Sequence, residues 1–155
     1  MPQRNIHQGE AGMQLISDEA VERMRRDHAY MLDLIHRIKA SCDRSDKIDN
    51  CRDCGSNHRE FCHSKIEQLI RTFVETTLKH NAIESLYMAE NVPKAHRIAH
   101  NNAHLAIAEQ LRAIRVIFSE DGNCVLAIHG IDEVLQTLQS HFHEYDRALE
   151  AYLTT

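Results

Sequence analysis

Only two prolines and five glycines punctuate the 155 residues of this chain. A sandwich or barrel of many short strands needs far more turn residues, so an all-β architecture is excluded. No apolar run approaches the roughly 18 residues of a membrane span. The first fifteen residues lack the apolar stretch of a secretory leader, so the expectation is a cytoplasmic protein with no membrane partner. An excess of positive charge is missing too. Eighteen basic side chains face twenty-three acidic ones, and the net charge of −5 excludes a non-specific grip on nucleic acid. With 43% hydrophobic and 26% charged residues, the remainder is an ordinary soluble composition, sized for one domain with its own core.

What the chain does have is helical periodicity. Four stretches keep apolar residues three or four apart. The first runs Val21, Met24, His28, Met31, Ile35, Ile38, behind a predicted N-cap at Ser17. The second runs Ile66, Ile70, Phe73, Thr77, His80, Glu84, Tyr87. The third runs His100, His104, Ile107, Leu111, Ile114, Phe118, after Pro93 in a first turn. The fourth runs Ile128, Ile131, Leu135, Leu138, Phe142, Tyr145, Leu149, Tyr152. Short breaks at Asn91-Val92-Pro93 and Asp121-Gly122-Asn123 force antiparallel neighbours. The predicted fold is an all-α, antiparallel up-down-up-down four-helix bundle over residues 17–155. A loose arm would precede it over residues 1–16, and a polar, cysteine-rich insertion would interrupt it over residues 42–62.

Polar residues occupy positions on these stripes where leucine or isoleucine would be expected: His28, His80, Glu84, His100 and His104. One buried histidine is ordinary; five unpaired polar groups would each cost a few kcal/mol. Their heights in the bundle agree. In an antiparallel hairpin, two residues are level when their sequence midpoint falls at the turn. Glu84 with His100, and His80 with His104, are both centred on Val92, inside the predicted turn. His104 with His141 is centred between Gly122 and Asn123, and His28 with Glu84 at Ser56 in the long insertion. On the fourth helix His141 and Asp146 flank the apolar stripe from either side. Five residues apart, they predict a widened, π-type turn over residues 141–146.

Five imidazoles and two carboxylates in one layer describe a metal site with too many ligands for a single ion. Two octahedral ions accommodate them all, with a bridging oxygen and one position left open. Imidazole-rich, oxygen-bridged sites suit iron.

The series His28, His80-xxx-Glu84, His100-xxx-His104, His141-xxxx-Asp146 resembles the hemerythrin family, including bacterial hemerythrins and hemerythrin-like cation-binding domains, over residues 17–153. The resemblance implies two iron ions bridged by an oxo or hydroxo group. His100, His104 and His141 would hold one, His28 and His80 the other, and Glu84 and Asp146 would bridge them. It further implies that dioxygen is the ligand, bound reversibly for storage, delivery or sensing, with no catalytic residue required. Two alternatives use the same side chains: a di-iron oxidase, peroxidase or nitric-oxide-handling enzyme, and a metal-storage or structural bundle. Tyr30, Tyr87 and Tyr145 are candidates to serve a catalytic variant. A ferritin-like centre is disfavoured, because Glu60-Phe-Cys-His63 is the one Glu-x-x-His motif and is misplaced. His36, His129 and His143 fall outside the layer, and His96, with its midpoint to Glu84 short of the turn, is left out.

The insertion departs from that family. Cys42, Cys51, Cys54 and Cys62 read as a zinc knuckle, with free thiols or a redox switch as the alternatives. Cys51-Arg-Asp-Cys54 is followed by Gly55, which excludes a c-type haem motif. Cys124, alone at the head of the fourth helix, reads as a small packing residue.

Overall fold

The computed structural model describes residues 6–42, 51, 54, 56–89 and 92–154. Four helical rods account for nearly all of them: α1 (Ile6–Ala40), α2 (Ser56–Tyr87), α3 (Lys94–Asp121), and a fourth rod made of α4 (Cys124–His141), a π-helical segment (Phe142–Asp146) and α5 (Arg147–Thr154). α1 packs on α2 and on the fourth rod, and α3 packs on α4 and α2. This is the all-α bundle that the periodicity predicts.

Two boundaries differ from the sequence reading. α1 does not start at Ser17 but at Ile6, so residues 6–16 are helical rather than an irregular arm. Serine is a strong cap only where a helix has to begin. The preceding Glu10, Ala11, Met13, Gln14 and Leu15 are good helix formers that let the helix run on. At the other end of the insertion, α2 starts at Ser56, which puts Cys62 inside the helix and not in a loop.

The short turns behave as their residues dictate. Pro93 precedes α3, and its carbonyl accepts the Arg97 N–H at 3.1 Å. Gly122 ends α3 in the left-handed region at φ 63°, its N–H donating to the Phe118 carbonyl at 3.1 Å. Asn123 then caps α4, its side-chain oxygen accepting the Leu126 N–H at 3.2 Å.

The apolar core comes in two pieces. The larger gathers Met31, Leu34, Ile35, Ile66, Phe73, Ile107, Leu111, Ile131 and Leu138 among others. The smaller, beside the α2–α3 turn, holds Met24, Met88, Val92 and Leu149. On every rod the residues between the two pieces are the polar ones: His28, His80 and Glu84, His100 and His104, His141 and Asp146. No helix among the described residues is long and apolar enough to cross a membrane.

Candidate metal centre

Seven side chains from the four rods meet in the layer between the two apolar clusters. Two groups of ligand atoms lie within 4.8 Å of one another: Glu84, His100, His104, His141 and Asp146, and His28, His80, Glu84 and Asp146. Glu84 and Asp146 belong to both. Six of the seven side chains are buried, and His28 is partly covered. All seven expected residues are therefore brought together.

The carboxylates sit at the centre and the imidazoles around them. Asp146 Oδ1 lies 2.9 Å from His100 Nε2 and 3.0 Å from His141 Nε2, and Oδ2 lies 2.9 Å from His28 Nε2. Glu84 Oε1 lies 2.9 Å from His80 Nε2 and 3.3 Å from His104 Nε2. Despite these distances, both oxygens of each carboxylate lack a partner with hydrogen-bond geometry. Imidazole nitrogens also face one another: His28 Nε2 and His80 Nε2 are 3.1 Å apart, as are His100 Nε2 and His141 Nε2. Buried oxygens and nitrogens aimed at common points, with too few protons between them, are what a cation-binding donor set looks like before its charge is balanced.

The π-helical segment makes the fourth rod's contribution work. In an α-helix, residues five apart diverge by about 140°. A π-turn repeats at i→i+5 and brings them back into line. His141 and Asp146 bracket the segment Phe142–Asp146, and their ligand atoms end 3.0 Å apart.

Electrostatics follow from burial against contact. Burial alone would raise the Asp146 carboxyl, but the imidazoles of His100, His141 and His28 outweigh it and hold it well below the usual carboxylate range. Burial likewise opposes charge on His80, yet Glu84 and Asp27 raise it to about 9. His104, with less carboxylate contact, is lowered by burial.

A family model described as the hemerythrin HHE cation-binding domain matches residues 19–153. The chain belongs to the hemerythrin HHE cation-binding family. No curated protein and no solved structure matches it. Membership and the buried cluster of histidines and carboxylates together make this hemerythrin domain a cation-binding protein.

Three contacts escaped the sequence reading. Asp27 Oδ2 lies 2.9 Å from His80 Nδ1, so a carboxylate on α1 orients an imidazole on α2 and keeps its proton on Nδ1. The midpoint of Asp27 and His80 falls between Asp53 and Cys54, inside the insertion but short of Ser56, the midpoint of His28 and Glu84, so spacing alone does not single the contact out. His96, set aside as a decoy, is not in either ligand group, but its Nε2 is 3.0 Å from His100 Nδ1. Phe142 stacks on His28 with ring centroids 3.9 Å apart. Among the tyrosines, Tyr145 lies against His100 and His141, Tyr87 packs with the smaller apolar cluster, and Tyr30 is exposed.

Of the cysteines, two are buried and three half-buried. Cys51 is buried, and its sulfur accepts the backbone N–H of Cys124 at 3.0 Å. Cys124 is 1% exposed within the larger apolar cluster, the small packing residue that the sequence reading expects, and it lies beside Cys51. Burial, then Cys51, Cys62 and Cys42 push its thiol up to about 12. Cys42 and Cys62 are half-buried against the larger core.

Proposed function

We propose that this hemerythrin domain is a non-haem di-iron protein that binds dioxygen reversibly. The observation that carries the proposal is the asymmetry of the donor set. Two carboxylates are common to both groups, three imidazoles serve one group and two serve the other. Glu84 and Asp146 would bridge, His100, His104 and His141 would complete one ion, and His28 and His80 would leave the second an open position. Mixed imidazole and carboxylate donors suit iron. Two ferrous ions held by these residues would supply the two electrons on which reversible dioxygen binding draws.

The chain's own residues do the rest. The larger and smaller apolar clusters cover the layer above and below, which would limit the water that reaches it. Asp27 holds the His80 ring, and Phe142 holds the His28 ring flat. His28 has 13% side-chain exposure, against 0%, 8% and 4% for His100, His104 and His141, so the two-imidazole side is the one that a small gas reaches most directly. Tyr145 lies on the three-imidazole side, away from the open position, which favours binding over turnover as an oxidase.

The test is a visible spectrum of the iron-loaded, reduced protein before and after air. A charge-transfer band that rises with air and disappears under vacuum over repeated cycles is expected. A band that decays irreversibly would point to catalysis, and a colourless protein with bound metal to storage or a structural role; either contradicts the proposal.

A further inference from the structure

One buried hydroxyl beside the ligand layer has no partner. Thr77, on α2, is 0% exposed, and its Oγ1 makes no hydrogen bond. It lies three residues before His80 and seven before Glu84 on the same face of the helix. Those spacings are about 4.5 Å and about 10.5 Å along the axis. The midpoints that level the ligands also level Thr77. With Ile35 it is centred on Ser56 and with Ile107 on Val92, and Ile107 with Leu138 is centred between Gly122 and Asn123. Ile35, Ile107 and Leu138 all belong to the larger apolar cluster. Thr77 thus brings a hydroxyl to a level where the other three rods bring hydrocarbon.

A threonine inside a helix commonly donates its hydroxyl to the carbonyl four residues back. Thr72, Thr137 and Thr154 do so, reaching the carbonyls of Gln68, Glu133 and Glu150 at 3.0, 3.1 and 2.9 Å. Thr77 leaves the Phe73 carbonyl without that bond. Valine would fill nearly the same volume and bury no unpaired polar atom. The hydroxyl is therefore of no use to the apolar wall, and it is free for a molecule that enters the layer.

We propose that Thr77 is a specificity-determining residue of the open position, its hydroxyl donating a hydrogen bond to the small anionic ligand held there. The proposal rests on the di-iron reading above. His80, one turn further along α2, belongs to the two-imidazole group, which puts Thr77 on the side left open. A ligand that draws electron density from two ferrous ions carries negative charge. One aimed donor among hydrocarbon neighbours stabilises that charge more than the same donor does in water. Thr77 transfers neither proton nor electron; it selects a ligand able to accept a hydrogen bond over one that is not.

Azide is the probe, added to the oxidised, iron-loaded full chain and followed by its charge-transfer band in the parent protein, Thr77→Val and Thr77→Ser. Thr77→Val is expected to keep the parent's iron per chain and to melt no lower than the parent when metal-free. Its azide affinity is expected to fall roughly 10- to 100-fold, the range of one hydrogen bond to a charged group. Thr77→Ser, which restores the hydroxyl, should bind azide like the parent. Unchanged azide affinity in Thr77→Val overturns the proposal. Loss of iron or a lower melting temperature in that variant overturns it as well, by making the hydroxyl a support of the fold. Should Thr77→Val fail to fold, Thr77→Ala takes its place with the same expectations. A parent protein that holds two irons and gives no azide band overturns the open position itself. A parent that binds azide no better than Thr77→Val overturns the role of Thr77 alone.

Discussion

Asp27 on α1 and His80 on α2 meet at 2.9 Å, carboxylate oxygen to Nδ1, and this contact aims the opposite nitrogen of His80 at Glu84. Carboxylates in this position typically strengthen a metal-ligating imidazole 10–100-fold or so. Asp27→Asn is therefore expected to weaken the ion on the His28–His80 side by roughly that factor while sparing its neighbour. His96→Ala is expected to do the converse, through His100. Iron affinity measured by chelator competition checks both; equal loss of the two ions in either variant would contradict the separate positioning roles.

Glu84 and Asp146 each belong to both ligand groups. Glu84→Gln or Asp146→Asn should therefore release both ions, whereas His28→Ala should release mainly one. An ion held a thousandfold above its dissociation constant stabilises the fold by about 4 kcal/mol, so the bridging variants should also lose most of the gap in melting temperature between loaded and metal-free protein. Metal analysis and paired thermal melts check this. A His28→Ala protein that keeps full dioxygen binding would contradict the open position on that side.

Metal removal exposes a pH dependence. His80 is raised from 6.5 to about 9, with the carboxylates of Glu84 and Asp27 overcoming the effect of burial. A raised imidazole stabilises the fold fully below its unfolded value of about 6.5, and that contribution is lost as pH climbs through about 9. Metal-free protein should therefore unfold more easily in urea at pH 9.5 than at pH 6.5, and His80→Gln should flatten the difference. Because a ligating imidazole is neutral, loading a cation at pH 7.5 should release a proton, and affinity should rise toward pH 9. Calorimetry in two buffers of different ionisation enthalpy measures that release.

Why some of this was legible in the sequence and some was not has a physical cause in each case. The four rods and their polar layer follow from helical periodicity and from turns short enough to fix register, as the Val92 midpoint shared by Glu84/His100 and His80/His104 shows. The π-segment was legible because His141 and Asp146, five residues apart, diverge by about 140° on a regular helix and flank its apolar stripe from either side. The start of α1 was not, because Ser17 is a good cap in isolation and nothing local forbids the helix from continuing past it. Asp27 and Phe142 escaped because their partners lie on other rods, and side-chain reach is not written in spacing. The contact of Cys124 with Cys51 escaped for a different reason: the two are 73 residues apart, and only the topology brings the α3–α4 turn beside Cys51.

The central claim is that two neighbouring ions share Glu84 and Asp146, and a crystal of the iron-loaded protein with diffraction data collected on both sides of the iron absorption edge tests it most directly. Two anomalous peaks flanked by those carboxylates, one facing His100, His104 and His141 and the other facing His28 and His80, are predicted. A single peak, or none in that layer, would contradict the account.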